Sequence, residues 1–277
     1  MANRRDVLRG TLATGAVLGM PLGAGASAPP AEAVARRRIP RTGELVPCVG
    51  MGTWQTFDVD PTGELAEQMA VMRAFLDAGG SLIDSSPMYG RAEEVVGRVL
   101  ARLGRDDLFL ATKVWTDEGR DAGVAQMEAS ERLMGARRID LMQIHNLVGY
   151  ATHLKTLRAW KAEGRVRYVG ATEMQDWKEV ERILSEDGLD CIQVPYSMAD
   201  RAVEARVLPA ALDHGVAVLV MRPFQEGGLF NKVKGKSLPG WAAELDCTSW
   251  AQVFLKFIIG HPAVTCPIPA TSDPKRS

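Results

Sequence analysis

The sequence predicts an α/β fold, a (β/α)8 barrel of the TIM type, and three observations predict it. Short apolar runs alternate with amphipathic segments from Ile39 to the end of the 277 residues. Eight of those runs read as strands, and most of their starts lie 25 to 32 residues apart, the span of a strand, a helix and two loops. No strand is followed by the GxGxxG turn that opens a doubly wound dinucleotide-binding sheet. At 46% hydrophobic, the chain can bury the core such a barrel needs.

In chain order, residues 1–28 read as an export signal: a charged start, a weakly apolar stretch from Thr11 to Gly25, and Ala-x-Ala sites with candidate cuts after Ala26 or Ala28. Arg4-Arg5-Asp6-Val7-Leu8 resembles the twin-arginine motif, which implies export of a folded protein to the periplasm or another extracytoplasmic space. The stretch is too weakly apolar to span a membrane. Residues 29–38, rich in Pro, Ala and Arg, read as a linker, and 39–277 as the barrel.

Residues 39–48, turning at Thr42-Gly43-Glu44, predict a small hairpin ahead of the barrel. Val49–Trp54 is the first barrel strand. Leu65, Met69, Met72, Phe75 and Leu76 then fall at helical spacing and stop at Gly79-Gly80. The further strands are Ser81–Asp84, Leu108–Trp115, Ile139–His145, Val166–Thr172, Cys191–Tyr196, Val216–Met221 and Val264–Ile268. Trp177, Val180, Ile183 and Leu184 mark another amphipathic helix. Before the last strand the gap widens to 48 residues, through the Gly227-Gly228 loop and a helix from about Thr248 to Ile259. After it only Pro269 to Ser277 remain, so the closing helix of a full barrel is expected to be missing and the neighbouring helices to expose apolar surface.

Charge and cysteine usage narrow the function classes. The formal charge is −1, and without residues 1–28, which carry three Arg and one Asp, it becomes −3. That is no surface for nucleic acid or an anionic membrane. Cys48, Cys191, Cys247 and Cys266 form no CxxC and read as buried free thiols. His145, His153, His214 and His261 form no HxH or carboxylate cluster, so no metal is expected and a metal-dependent hydrolase is disfavoured.

In a barrel of this type chemistry sits where strands end, and four polar residues stand there. Asp84 closes the second strand, Tyr89 follows five residues on, Lys113 interrupts the apolar third strand, and His145 ends the fourth. Singly, each has an ordinary reading: a turn-former, a loop aromatic, a solvated strand end, a core histidine. Together they suit proton transfer coupled to carbonyl reduction. A tyrosine is a weak acid, with an unperturbed pKa near 10, and needs a neighbour that stabilises its phenolate. Lys113 would supply that charge, Asp84 would pair with and aim Lys113, and His145 would orient the substrate oxygen.

The segments Gly80-Ser81-Leu82-Ile83-Asp84-Ser85-Ser86-Pro87-Met88-Tyr89-Gly90-Arg91-Ala92-Glu93, Thr112-Lys113-Val114 and Asp140-Leu141-Met142-Gln143-Ile144-His145 resemble the aldo-keto reductase signatures, over roughly residues 39–271. The resemblance implies a reductase of aldehydes or ketones using NADPH, with Tyr89 as proton donor and Lys113, Asp84 and His145 beside it. It implies cofactor contacts from Gly52, Thr53, Trp54, Thr172, Gln193, Met221, Ile268, Ala270 and Thr271, and a substrate pocket of Trp54, Met88, Trp115 and Asn146. Three features depart from the family pattern. Thr172-Glu173 stands in place of the common Ser-Asn pair, Met221 stands where many members stack an aromatic on the nicotinamide, and the tail is short. These motivate an alternative reading, a catalytically weak or inactive NADP-binding barrel with a regulatory or partner-binding role. The chain is expected to be a monomer. Export would require it either to carry one bound cofactor and use a redox partner, or to act before leaving the cytoplasm.

Overall fold

The computed structural model describes residues 34–186 and 188–276; the signal read in residues 1–28 lies outside them. An antiparallel ribbon comes first, β1 (Arg36–Arg38) with β2 (Leu45–Pro47). The hairpin is therefore set earlier than the sequence pattern suggested, with its first strand inside the segment read as linker. The reason is visible in Arg37: its guanidinium donates to the carbonyls of His261 at 3.1 Å and Val264 at 2.6 Å, and also to that of Ile259. An arginine run that looks solvated in sequence is thus anchored on the barrel.

Eight parallel strands follow in sequential order: β3 (Met51–Gly52), β4 (Leu82–Asp84), β5 (Phe109–Val114), β6 (Ile139–Ile144), β7 (Val166–Thr172), β8 (Cys191–Pro195), β9 (Ala217–Met221) and β10 (Val264–Pro267). Helices α1 (Ala66–Asp77), α2 (Ala92–Leu103), α3 (Arg120–Leu133), α4 (Tyr150–Ala162), α5 (Trp177–Glu186), α6 (Val207–Asp213) and α8 (Trp250–Ile259) pack around them, and α7 (Gly228–Val233) lies in the long loop after β9. The fold class is the expected (β/α)8 barrel. The first barrel strand is shorter than the apolar run Val49–Trp54, because only Met51 and Gly52 pair with β4. The ring closes through Gly50 N–H to Pro267 O at 2.9 Å and Gly52 N–H to Pro269 O at 2.8 Å. Glycine at 52 is a steric requirement: a Cβ there would lie 2.7 Å from Ile268 O.

The strand period of two sorts side chains into two cores. Outward residues such as Ile83, Val114, Ile144 and Val218 pack under the helices. Inward residues Leu82, Phe109, Leu141, Tyr168, Cys191 and Leu219 fill the lumen, joined from below by Ile39 and Val46 of the ribbon, which plugs the N-terminal end. Below this layer Glu44 pairs with Arg167 and accepts from the Tyr168 hydroxyl.

Beyond β10 the chain crosses the barrel mouth and makes a 3-10 turn at Pro274–Arg276 that packs against α1. The expected exposure of flanking helices is only partial. Met69 and Leu76 of α1 and Leu255, Phe257 and Ile259 of α8 are half-buried, and the exposed large apolar side chains lie elsewhere. The loop after β9 is stabilised by its own small core, in which Phe224, Phe230 and Phe254 rings meet at 5.0 to 6.4 Å. The four cysteines are buried and free.

Candidate active site

Continuing the inward alternation past Leu82, Phe109, Leu141 and Cys191 places Asp84, Lys113, Gln143 and Gln193 in the lumen at its C-terminal end. A run that is apolar at the bottom becomes polar at the mouth. Lys113 is about 1% exposed and its ammonium donates to Asp84 Oδ2 at 2.6 Å and to Ser85 O at 2.7 Å. It also lies 4.9 Å from the centre of the Tyr89 ring. Burial alone would depress the lysine, but the Asp84 carboxylate and Tyr89 outweigh it and raise its pKa above the ordinary value. The ammonium is therefore charged at the mouth of the barrel. Asp84 is held by more than the lysine, since Gln143 Nε2 donates to its Oδ1 at 2.9 Å and Gln193 Nε2 lies 3.5 Å from its Oδ2.

Tyr89 sits in the loop between β4 and α2, held by its own N–H to Ser86 O at 3.0 Å and by the Arg91 N–H to Asp58 Oδ1 at 2.9 Å. Gly90 has φ +60°, and a Cβ there would strike the Asp58 carboxylate at 2.2 Å, so the turn requires glycine. Burial raises the Tyr89 pKa; Lys113 pulls it back and Asp84 pushes it further up. The expectation that Lys113 favours the phenolate has the right sign, but burial is the larger effect, and Tyr89 rests as a protonated phenol.

His145 follows β6 directly, opening a 3-10 turn rather than ending the strand, and its ring stands edge-on to Tyr89, centroids 6.0 Å apart. Burial first, and the Lys113 charge second, push its pKa down to about 3. Ser86 Oγ accepts the Met88 N–H at 3.4 Å and lies 3.1 Å from His145 Nδ1, to which its hydroxyl proton can be donated. That assignment puts the ring proton on Nε2, which has no protein partner among the described residues. A depressed histidine also sets a stability profile. The unfolded chain binds a proton near pH 6.5 and the folded chain does not, so this contribution is complete above about pH 6.5 and is lost as the pH falls toward 3. Thermal unfolding should show the pH-dependent loss shrink in His145→Asn by up to about 1.4 kcal/mol per pH unit in that window. An unchanged slope would contradict a neutral His145.

Around these groups opens a cleft of about 490 Å³. Of the residues read from sequence, Gly52, Thr53, Trp54, Asp84, Met88, Tyr89, His145, Asn146, Gln193, Met221, Ile268, Ala270 and Thr271 line it. Lys113 stands behind Asp84 and Tyr89. Trp115 is exposed at the rim, its ring 6.4 Å from that of His145. Thr172 does not reach the cleft: its hydroxyl is buried against Asn146, accepting the Asn146 N–H at 2.9 Å. The Glu173 carboxylate is likewise engaged, accepting the N–H groups of Met174, Gln175 and Asp176 ahead of α5. Sequence reasoning missed Met174 and the wall formed by Arg222, Phe224 and Phe230. The only signal for that wall was the Gly227-Gly228 loop.

Two observations suit a nicotinamide cofactor. Gln193 Oε1 is buried at the cleft without a partner among the described residues, an acceptor that a carboxamide N–H would satisfy. The cleft also has the size of ligand pockets in general. Among the described residues no group of three His, Cys, Asp or Glu side chains is placed to hold a metal ion.

Comparison with known proteins agrees with the geometry. The model of the Aldo/keto reductase family matches residues 48–277. Methylglyoxal reductase YeaE of Escherichia coli (strain K12) is 30% identical over 229 residues, covering 79% of each chain. The NADH-specific methylglyoxal reductase of the same organism is 30% identical over 226 residues, covering 70% of this chain and 68% of its own. Among solved structures, an aldo/keto reductase from Klebsiella pneumoniae in complex with NADP and acetate superposes with a TM-score of 0.73 at 25% identity, covering 84% of each chain.

Proposed function

The chain belongs to the aldo/keto reductase family, and from that premise we propose that it reduces a small aldehyde or ketone to the alcohol at the expense of NADPH. The observation that carries this reading is the buried Lys113 ammonium set between Asp84 and Tyr89 at the floor of an open cleft. When bound, the nicotinamide supplies hydride to the carbonyl carbon. Gln193 would hold its carboxamide, and Gly52, Trp54, Met221, Ile268, Ala270 and Thr271 would form the walls beside it.

The protein's own residues handle the oxygen. The His145 Nε2 proton orients the carbonyl, and a neutral imidazole can donate that bond without adding a second cation beside Lys113. As negative charge builds on the oxygen, the Tyr89 phenol transfers its proton there, completing the alcohol. The phenolate left behind lies against the Lys113 ammonium, which the Asp84 carboxylate keeps charged and aimed. Each of these groups is buried or half-buried, where electrostatic attraction exceeds its value in water.

NADPH rather than NADH is supported by the NADP bound in the Klebsiella pneumoniae structure, while the NADH-specific relative makes the comparison worth measuring. The paired arginines and Ala-x-Ala sites of residues 1–28 support export by the twin-arginine route. Fluorescence titration tests the cofactor assignment: NADPH is expected to bind more tightly than NADH, and Gln193→Leu to weaken NADPH by about two- to tenfold, the loss of one hydrogen bond. Equal affinity in the variant would remove Gln193 from the cofactor site. In the same preparation, addition of small aldehydes and ketones should consume the bound coenzyme; absence of consumption across the panel would contradict the reductase reading.

A further inference from the structure

Gln143 lies in the polar layer of the lumen yet has no part in the reaction as described. β6 carries it at the register position opposite Lys113 of β5, and it is fully buried. On its other side β7 places Gly170, where a Cβ would come within 3.2 Å of Gln143 Cγ, so the missing side chain there leaves room for the glutamine. A carboxylate paired with an ammonium accepts hydrogen bonds, so the amide orientation is forced: Nε2 faces Asp84 Oδ1 at 2.9 Å, and Oε1 is left buried without a partner among the described residues. An apolar side chain of the same length would avoid that bare oxygen. What the amide adds is a fixed direction for the carboxylate.

We propose that Gln143 is a positioning residue for the reduction: by holding Asp84 Oδ1 it fixes the rotation of the carboxylate, so that Oδ2 meets Lys113 and the ammonium is presented to Tyr89. This rests on the reductase reading of the site. Gln193, the other amide near Asp84, is on the cleft and is placed to contact a cofactor. Gln143 is not among the residues lining the cleft, so it is not placed to contact substrate or cofactor there. Its influence runs through Asp84 and Lys113, so it should appear in kcat and not in binding.

The test is Gln143→Met, which keeps the length and removes both the donor and the bare oxygen. We expect kcat to fall about tenfold, as for the loss of one hydrogen bond to a charged group, with NADPH affinity and carbonyl KM within about twofold of the unmodified chain. The discriminating readout is the same substitution in a Tyr89→Phe background, followed in single turnovers at high enzyme concentration. If Gln143 acts by aiming Lys113 at Tyr89, its loss costs nothing once the phenol is gone; a structural role would cost the same in both backgrounds. Equal losses, or no loss in the unmodified background, would overturn the proposal. Should Gln143→Met fail to fold, Gln143→Leu, which also removes the donor without adding a charge, is measured in the same two backgrounds with the same criteria. If the unmodified chain shows no carbonyl-dependent turnover, the reductase reading falls and this inference with it. Turnover with equal losses sinks the inference alone.

Discussion

Tyr89→Phe is expected to lower kcat by about 10²- to 10⁴-fold, the range for removing a positioned general acid, while NADPH affinity and thermal unfolding stay close to those of the unmodified chain. The substitution deletes one oxygen. The loop that carries residue 89 is fixed by backbone hydrogen bonds to Ser86 and by Asp58, neither of which involves the phenol. Lys113 keeps Asp84 and Ser85 as partners when the hydroxyl is gone, so no buried charge is stranded. Steady-state kinetics beside a fluorescence titration of NADPH separate the two quantities. A variant that loses affinity and kcat together would assign Tyr89 to binding, and one that retains kcat would remove it from the chemistry.

Lys113→Met is expected to act on both stability and turnover. It leaves the Asp84 carboxylate in the lumen with only the amides of Gln143 and Gln193 as donors. Breaking a buried ion pair from one side typically costs about 3–5 kcal/mol, which for a chain of this size corresponds to a melting temperature lower by roughly 10 °C. Turnover should fall at least as far as in Tyr89→Phe, because the phenolate loses its counter-charge. The double variant Asp84→Asn/Lys113→Met removes the stranded carboxylate, so most of the melting temperature should return while kcat does not. Recovery of turnover along with stability would show that the pair serves the fold alone.

Much of this was legible in the sequence because strand periodicity and chemistry coincide. Lys113 interrupts an otherwise apolar run, and in a buried strand that has few explanations besides a charged partner. Asp84 ends β4 and His145 directly follows β6, and parallel pairing in sequence order sets these two strands on either side of β5. What the sequence hid has physical causes. Arg37 fell in the segment read as linker, because nothing in its own neighbourhood shows that three carbonyls between the end of α8 and the start of β10 await it. Thr172 looked available for a ligand, because the partner that buries it, Asn146, takes a left-handed conformation with φ +49° that puts its N–H on the Thr172 hydroxyl. Glu173, a departure from the family pattern in the sequence, turns its carboxylate onto the N–H groups of Met174, Gln175 and Asp176 ahead of α5. The wall built by Phe224 and Phe230 depends on packing within a long loop, where no period guides the reading.

Whether this cleft moves hydride and proton onto one carbonyl group is decided by isotope transfer. The chain would be incubated with an aldehyde and NADPH dideuterated at the nicotinamide C4, and the product analysed by mass spectrometry. One deuterium is expected on the carbinol carbon for each NADPH consumed, with product formation collapsing in Tyr89→Phe. NADPH that binds but yields no deuterated alcohol with any aldehyde or ketone would contradict that expectation, and would leave a barrel that holds the coenzyme without using it.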